Sequence, residues 1–332
     1  MSIPSHVFEQ TVAALFAPVL PFLEGDEVSE IMINRHDEIY IEKGGQLHLT
    51  QSAFASEHAL MSALRNLSQF VGREINSRQP ILEARFPDGS RVEAIVPPAS
   101  PSGPIVCIRR FRRERLTLPR LVAQGAMSQE AATFLGRAIA ERKNIIVAGG
   151  SGSGKTSLLN ALATLASDHE RVVVLEDSKE LQIDLRHVVQ LEAQPPHPTG
   201  GGEVSIRDLF RATLRLRPDR IVIGEIRGGE ALELIQAMTS GHRGCLSTVH
   251  ATLPVDTLSR LETMALMSDV KVPLQVLRAQ IASAIDVIVQ VARRADGSRG
   301  VTHVCEVRGY QVDAGYRLVD SLVTSLDRAV VQ

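Results

Sequence analysis

Residues 149–156 read GGSGSGKT, a glycine-rich stretch that fits G-x-x-x-x-G-K-[ST] and leaves few folds open to the chain. The apolar run NIIVA (144–148) precedes it, and SLLNALATLA (157–166), with helical spacing, follows. Strand, glycine loop and helix in that order form a cradle. Its backbone N–H groups turn inward onto phosphate oxygens, and the helix N-terminus adds positive potential. Gly149, Gly150, Gly152 and Gly154 permit this, because side chains there would block the approach or forbid the dihedrals. The residues expected to bind the phosphates are Gly150, Ser151, Gly152, Ser153, Gly154, Lys155, Thr156 and Ser157. Lys155 would place its charge on the β- and γ-phosphates and the Thr156 hydroxyl would ligate Mg2+. ATP and Mg2+ are the implied ligands. A dinucleotide-binding loop is the rival reading, but it leaves the Lys155-Thr156 pair unexplained.

The context of the loop predicts the fold class. After about residue 125, buried-type runs recur at RVVVLE (171–176), HVVQLE (187–192), RIVIGE (220–225) and CLSTVH (245–250), several separated by helical segments. Ser128 can cap a helix running to about Arg142. This alternation predicts an α/β domain with a mostly parallel sheet and helices on its faces. Before it stand hairpins at 38–49 and 84–98, further strands at 26–34 and 104–111, and a helix over 56–74. They predict a smaller antiparallel α+β domain. The expected boundaries are 1–112 for that domain, 113–127 for a linker and 128–332 for the P-loop domain. The Pro/Gly stretch 194–203 reads as a mobile loop.

Composition narrows the function classes. With 36 Lys+Arg against 38 Asp+Glu, the net charge of -2 argues against a generally basic nucleic-acid binder, and an aromatic share of 4% argues against a stacking groove. The cysteines, Cys107, Cys245 and Cys305, are odd in number and far apart, so neither a disulfide scaffold nor a zinc site is expected. Nothing reads as a membrane span, and MSIPSHVFEQ lacks the layout of a signal peptide.

Hydrolysis needs carboxylates for the metal and the attacking water. Glu225, ending RIVIGE, is expected to hold the Mg2+ shell or polarise water. Glu176, Asp177 and Glu180 cluster after another apolar strand, with Glu176 and Glu180 the expected catalytic partners. His250 ends CLSTVH and His242 lies in the SGHRG loop before it. Both are expected on the active edge, where they could report the γ-phosphate to the rest of the chain. Arg207, Arg211 and Arg215 stand four apart in SIRDLFRATLRLRP (205–218), so they share one helix face. That face reads as a solvated stripe or as a subunit interface. Arg91, Arg109, Arg110, Arg112 and Arg113 ask for an anionic partner, and triphosphate is the candidate.

With these residues in view, the sequence resembles the secretion-system and pilus-assembly ATPases of bacterial type II and type IV machines. The likeness is strongest to the CpaF-like tight-adherence branch, with the conjugative-transfer TrbB-like branch near. It is carried by GGSGSGKTSLLNAL (149–162), VVLEDSKEL (173–181), LRLRPDRIVIGEIRGGEAL (214–232) and SGHRGCLSTVHAT (240–252), and by residues 80–111 of the first domain. The resemblance implies a RecA-like ATPase domain behind a PAS-like entry domain. It implies cytoplasmic homo-hexameric rings with ATP between the two domains. It also implies an inner-membrane platform protein as partner, peripheral membrane contact through partners only, and no direct nucleic-acid binding. Arg91, Arg109 and Arg110 become candidate phosphate contacts, and Arg207 and Arg215 candidate interface or sensor arginines. Lys179 inside EDSKE departs from the family's acidic box and leaves open which carboxylate is catalytic. The chain is also shorter at its N-terminus than many tight-adherence relatives, so an extra recruiting domain is not expected. A nucleic-acid translocase and a nucleotide-gated scaffold are the alternative functions.

Overall fold

A computed structural model describes residues 11–25, 27–111, 116–196, 200–294 and 296–323. The chain divides into two compact units, Met1–Glu114 and Arg115–Gln332.

In the first unit the strands are β1 (Val28–Arg35), β2 (Glu38–Lys43), β3 (Gln46–Leu49), β4 (Ile81–Arg85), β5 (Arg91–Ile95) and β6 (Ile105–Arg109). They form one six-stranded sheet in the order β3-β2-β1-β6-β5-β4, with antiparallel pairing throughout. Helix α1 (Glu57–Phe70) starts where the Ser56 side chain accepts from the Ala59 amide. Its Leu60, Ala63, Leu64 and Leu67, at helical spacing, pack with Ile31, Ile33, Ile39 and Ile108 of the sheet. The helix stops short of the expected residue 74, because Gly72 takes a left-handed conformation with φ 68°.

The second unit follows the order α2 (Leu118–Ala123), α3 (Gln129–Ala140), β7 (Ile145–Gly149), α4 (Lys155–Ala163), β8 (Val172–Glu176), β9 (Val188–Glu192), α5 (Ile206–Thr213) and β10 (Arg220–Ile223). It continues with α6 (Glu230–Thr239), β11 (Leu246–His250), α7 (Pro254–Leu266), α8 (Leu274–Ala284), β12 (Val287–Arg293), β13 (Arg299–Gln311) and β14 (Gly315–Val323). The eight-stranded sheet runs β14-β13-β12-β7-β11-β10-β8-β9. From β12 to β9 every pair is parallel, while β12-β13-β14 is an antiparallel meander on one side. Side chains along a strand alternate between faces. Ile145 and Val147 therefore pack under Leu121, Leu135, Leu158 and Leu162. Ile146 and Ala148 pack on the opposite layer with Phe210, Ile235, Leu258 and Ile281. The expected fold class, a mostly parallel P-loop domain preceded by a smaller α+β domain, is the observed one.

The expected linker is corrected. Residues 113–115 of it lie outside the described residues, and so does Arg112. The rest is not a tether: α2 places Leu118 and Leu121 in the core of the second unit, and the Ala126 carbonyl accepts from the Val301 amide at 2.7 Å. Buried leucines at helical spacing bind this stretch to the second unit.

The sheet's amino edge is held by a buried cation. Arg220, the first residue of β10, has a side chain only 1% exposed. Its Nε donates to Glu170 Oε2 at 2.7 Å, and its terminal nitrogens to the carbonyls of Gly244 and Ile139, each at 3.1 Å. Arg142 Nε adds a second bond to Glu170 Oε1 at 3.2 Å. Gly244 must be glycine: its φ is +79°, and a Cβ there would fall 2.8 Å from an Arg220 terminal nitrogen. The three cysteines are unpaired thiols, and burial pushes Cys245 up to about 12. Among the described residues no helix is long and apolar enough to cross a membrane.

Candidate nucleotide site

Parallel strands end on the same side, so β7, β11, β10 and β8 present their carboxyl ends at one edge. That is where open α/β sheets bind ligands. The glycine loop leaves β7 there. Gly149 is pinched: a Cβ would lie 2.5 Å from Ser153 Oγ and 2.5 Å from Val291 O of β12. Gly152 and Gly154 take φ +64° and +97°, which side chains disfavour. Beyond Gly150 and Gly152 nothing lies within 4 Å of where a Cβ would stand, so the loop's outer surface is open. Gly154 is the N-cap of α4, and Lys155 and Thr156 open its first turn. Ser153 faces inward instead, bonding Gly150 O through its hydroxyl at 2.9 Å.

The strand order then assembles charge around the loop. The register pairs His250 with Gly149 across β11 and β7. Lys155 Nζ donates to Gly150 O at 2.8 Å and stands 3.4 Å from His250 Nε2. The same imidazole nitrogen lies 2.9 Å from Glu225 Oε1. Glu225 follows β10 and is largely buried; its other oxygen accepts from Arg227 Nε at 2.6 Å. Arg227 in turn reaches Asp177 Oδ2 at 3.6 Å. Lys155, His250, Glu225, Arg227 and Asp177 thus form a continuous chain of charged and polar groups. Burial, then the Lys155 ammonium, push His250 below its ordinary value, against the pull of Glu225. The ring is neutral near pH 7. In the tautomer with its proton on Nδ1, Nε2 accepts from Lys155, while Glu225 Oε1 stands beside it without a hydrogen bond.

The two acidic-segment carboxylates differ. Glu176, only 4% exposed, accepts the amides of Glu180 and Leu181 on one oxygen, both at 2.8 Å. It lies against Gly224, where a Cβ would meet its Cγ at 3.1 Å. Burial pushes its carboxyl up, although the two amides oppose this. Glu176 therefore braces the turn that carries Asp177 and Glu180, and Glu180 is the more open of the pair. Two further residues went unread in the sequence. Arg227 stands two positions after Glu225 in GEIRGG, and that spacing was the available signal. Gln290 of β12 is buried and donates to the carbonyls of Ala251 and Thr252 at 3.1 and 3.0 Å, holding the chain just after His250. No local pattern marks it.

Some expected residues stand elsewhere. His242 precedes β11, near the strand's amino end: the thiol of Cys245 donates to its carbonyl at 3.2 Å, and Cys245 N to Asn144 before β7. The length of β11, at about 3.3 Å per residue, separates it from the cradle, so its expected place on the active edge is corrected. Arg207 is bonded to Glu233 and Asp269 at 2.6 and 2.8 Å, and Arg215 follows the end of α5, back toward the amino edge. In the first unit, Arg85, Arg91 and Arg109 lie in one cross-strand row on adjacent strands. Glu30 of β1 stands opposite Arg109 in the same row, so a carboxylate of the sheet itself flanks the arginines. Arg110 points to the carbonyls of Gly25 and Val28 instead. Arg113 lies outside the described residues.

The site fits a magnesium-complexed triphosphate. The loop is open where phosphates must enter, and glycine stands at each constricted or left-handed position. Among the described residues no group of three His, Cys, Asp or Glu side chains forms a protein-only metal site. Mg2+ would then be held by Thr156 together with phosphate and water oxygens, its usual mode with nucleotides, and Glu225 would act on a water beside it.

Comparisons with known proteins agree. The family model described as "Type II/IV secretion system protein" matches residues 13–316. The conjugal transfer protein TrbB of Rhizobium radiobacter is 32% identical over 293 residues, covering 87% of this chain and 86% of its own. The type IV secretion system protein PtlH of Bordetella pertussis is 34% identical over 300 residues, covering 83% of this chain and 88% of its own. Among solved structures, the Legionella pneumophila ATPase DotB superposes with a TM-score of 0.63 at 20% identity, covering 88% of this chain and 80% of its own. At that identity the likeness speaks for the fold.

Proposed function

The chain belongs to the type II/IV secretion system protein family, and on that premise we propose that it is a motor ATPase whose copies assemble into a ring on ATP. One observation carries this reading: Lys155, His250 and Glu225 converge on the open glycine loop.

In the proposed reaction Lys155 leaves the Gly150 carbonyl for the β- and γ-phosphates, while loop amides hold the α- and β-phosphates. Mg2+ on Thr156 would neutralise charge developing on the β- and γ-oxygens. Glu225 orients a water whose oxygen attacks the γ-phosphorus. The bond from that phosphorus to the β-bridging oxygen breaks, the water proton passes to Glu225, and ADP and phosphate leave. Glu180 is the proposed second carboxylate, with Glu176 holding its turn. His250 meets the γ-phosphate and shifts its hydrogen bond from Lys155 toward Glu225. Through Arg227 that shift reaches Asp177. Movement of the acidic segment is the proposed link from bond cleavage to mechanical work. In the same proposal an inner-membrane platform protein receives the motion, and the ring works in the cytoplasm.

The test is direct. Purified chain should bind Mg-ATP calorimetrically, release phosphate slowly and gain mass as a ring with a non-hydrolysable analogue. No affinity for Mg-ATP would remove the proposal. His250 adds a second expectation. Negative Mg-ATP beside it raises its proton affinity, so binding near pH 6.5 should take up a proton. The calorimetric enthalpy should vary with buffer ionisation enthalpy, and H250Q should abolish the variation. A persisting variation would assign the proton to another group.

A further inference from the structure

In the proposed reaction Glu225 must keep a water in place while its own neighbours change partners. Lys155 leaves Gly150 O, His250 turns with it, and Arg227 passes the shift to Asp177. The side-chain contacts of Glu225 are therefore weak anchors, and both neighbours are open to water: Arg227 is 63% exposed and His250 39%. Fixed support has to come from the backbone that carries the carboxylate.

One residue grips that backbone on both sides. The recorded pairing of β10 with β11 ends at Ile223 and Ser247, and continuing its register sets Gly224 beside Thr248. There the Thr248 hydroxyl donates to Gly224 O at 2.7 Å, and Thr248 O accepts from Ile226 N at 3.0 Å. The two bonds bracket Glu225. Thr248 is 1% exposed, so water does not compete for them. On the side away from β11, Gly224 N donates to Leu175 O of β8 at 2.8 Å, and Glu176 packs so closely that a Cβ on Gly224 would meet its Cγ at 3.1 Å. Downstream, Glu230 Oε1 accepts from Arg227 N and Gly228 N at 2.7 and 2.9 Å, which closes the turn after Glu225. Any residue at 248 could offer its carbonyl to Ile226. The bond to Gly224 O needs a side-chain donor, and a β-branched threonine holds its hydroxyl with few rotamers to choose from. Residues two apart on a strand share a face, so Thr248 and His250 project the same way from β11.

We propose that Thr248 is a positioning residue for hydrolysis: its hydroxyl, through Gly224 O, fixes the peptide that carries Glu225 and thereby sets where that carboxylate meets the attacking water. The inference rests on the role given to Glu225 in the ATPase reading above. It adds that β11 serves the reaction twice, with an imidazole at its tip and a hydroxyl clamp two residues earlier. A misplacement of about 1 Å at a reacting group can cost on the order of 10²-fold in rate, so a single buried hydrogen bond here has a large lever.

The experiment measures single-turnover phosphate release, calorimetric Mg-ATP affinity and thermal melts for the full chain, T248V, T248S, E225Q and the T248V/E225Q double variant. Valine keeps the shape of threonine and removes the hydroxyl. T248V should slow turnover by about tenfold to hundredfold with affinity within a few-fold, and T248S should recover most of the loss. In the E225Q background the same valine should cost less than about threefold, because the clamp has no carboxylate left to place. A merely structural threonine would lower the melting temperature and leave the turnover of folded protein unchanged, and that result overturns the inference. Losses that multiply in the double variant, or T248S as slow as T248V, overturn it as well. If T248V does not fold, T248C decides, since a thiol is a weaker donor of similar size: it should turn over more slowly than T248S, and equal rates overturn the claim. If E225Q matches the parent, or the parent binds no Mg-ATP, the reading beneath fails and the inference falls with it. A slow E225Q beside an unimpaired T248V fails the inference alone.

Discussion

Glu225→Gln is expected to lower ATP turnover by about 10²–10⁴-fold while leaving Mg-ATP binding within a few-fold, because a positioned acid–base group contributes on that scale. The amide keeps the size of the side chain and one oxygen. It loses the negative charge that faces His250 Nε2 at 2.9 Å and Arg227 Nε at 2.6 Å, and it cannot accept the water's proton. Arg227 would also lose its main anionic partner and fall back on Asp177. Phosphate release under single-turnover conditions, read beside calorimetric binding, separates chemistry from affinity. Turnover within tenfold of the parent would move the catalytic role to Glu180, the more open carboxylate of the acidic turn. A matching loss of binding would make Glu225 a ground-state ligand of the metal.

The second large effect is on stability. Glu170→Ala should destabilise the second unit by about 3–5 kcal/mol, the usual cost of leaving one partner of a buried ion pair alone. Arg220 is 1% exposed and Glu170 12%, so water cannot replace the lost carboxylate, and two backbone carbonyls remain as the guanidinium's acceptors. Burial raises the Glu170 carboxyl, but the Arg220 hydrogen bond and charge outweigh it, with Arg142 adding to them, and the net position is below the ordinary value. The sign of the pH dependence follows. A carboxyl depressed in the folded state contributes stability that is present above its unfolded value and disappears as pH falls through the folded one. Denaturant unfolding of parent and variant should therefore differ most near neutral pH and converge in acid. Changing Arg220 to Met in the Glu170→Ala background should recover part of the loss, since an apolar side chain needs no counter-charge. A difference under 1 kcal/mol at pH 7 would mean the pair is solvated.

The hairpin at Gly44-Gly45, the Ser128 and Ser205 caps and the parallel strands β7, β8, β9, β10 and β11 follow from local rules, while β12 was not among the runs read. Capping and turn residues act within a few positions, and apolar periodicity reports burial without reference to partners. Ser205 and Asp208 form a capping box at the start of α5. Arg220 was not legible: as an arginine after Pro218-Asp219 it reads as a surface cation, and only the packing of Glu170, Gly244 and Ile139 around it makes it a buried anchor. Gln290 and Thr248 are of the same kind. Their partners lie far away in the chain.

From the sequence alone came the cradle itself, because strand, glycines, lysine and helix are contiguous and their chemistry needs no distant residue. Tertiary structure alone decided which groups surround it. The order β12-β7-β11-β10-β8 sets His250 and Glu225 on one flank, and the direction of β11 sends His242 to the far edge. Strand order comes from burying both faces of the sheet under two helical layers. That is a balance of long-range contacts, which no short stretch of residues encodes.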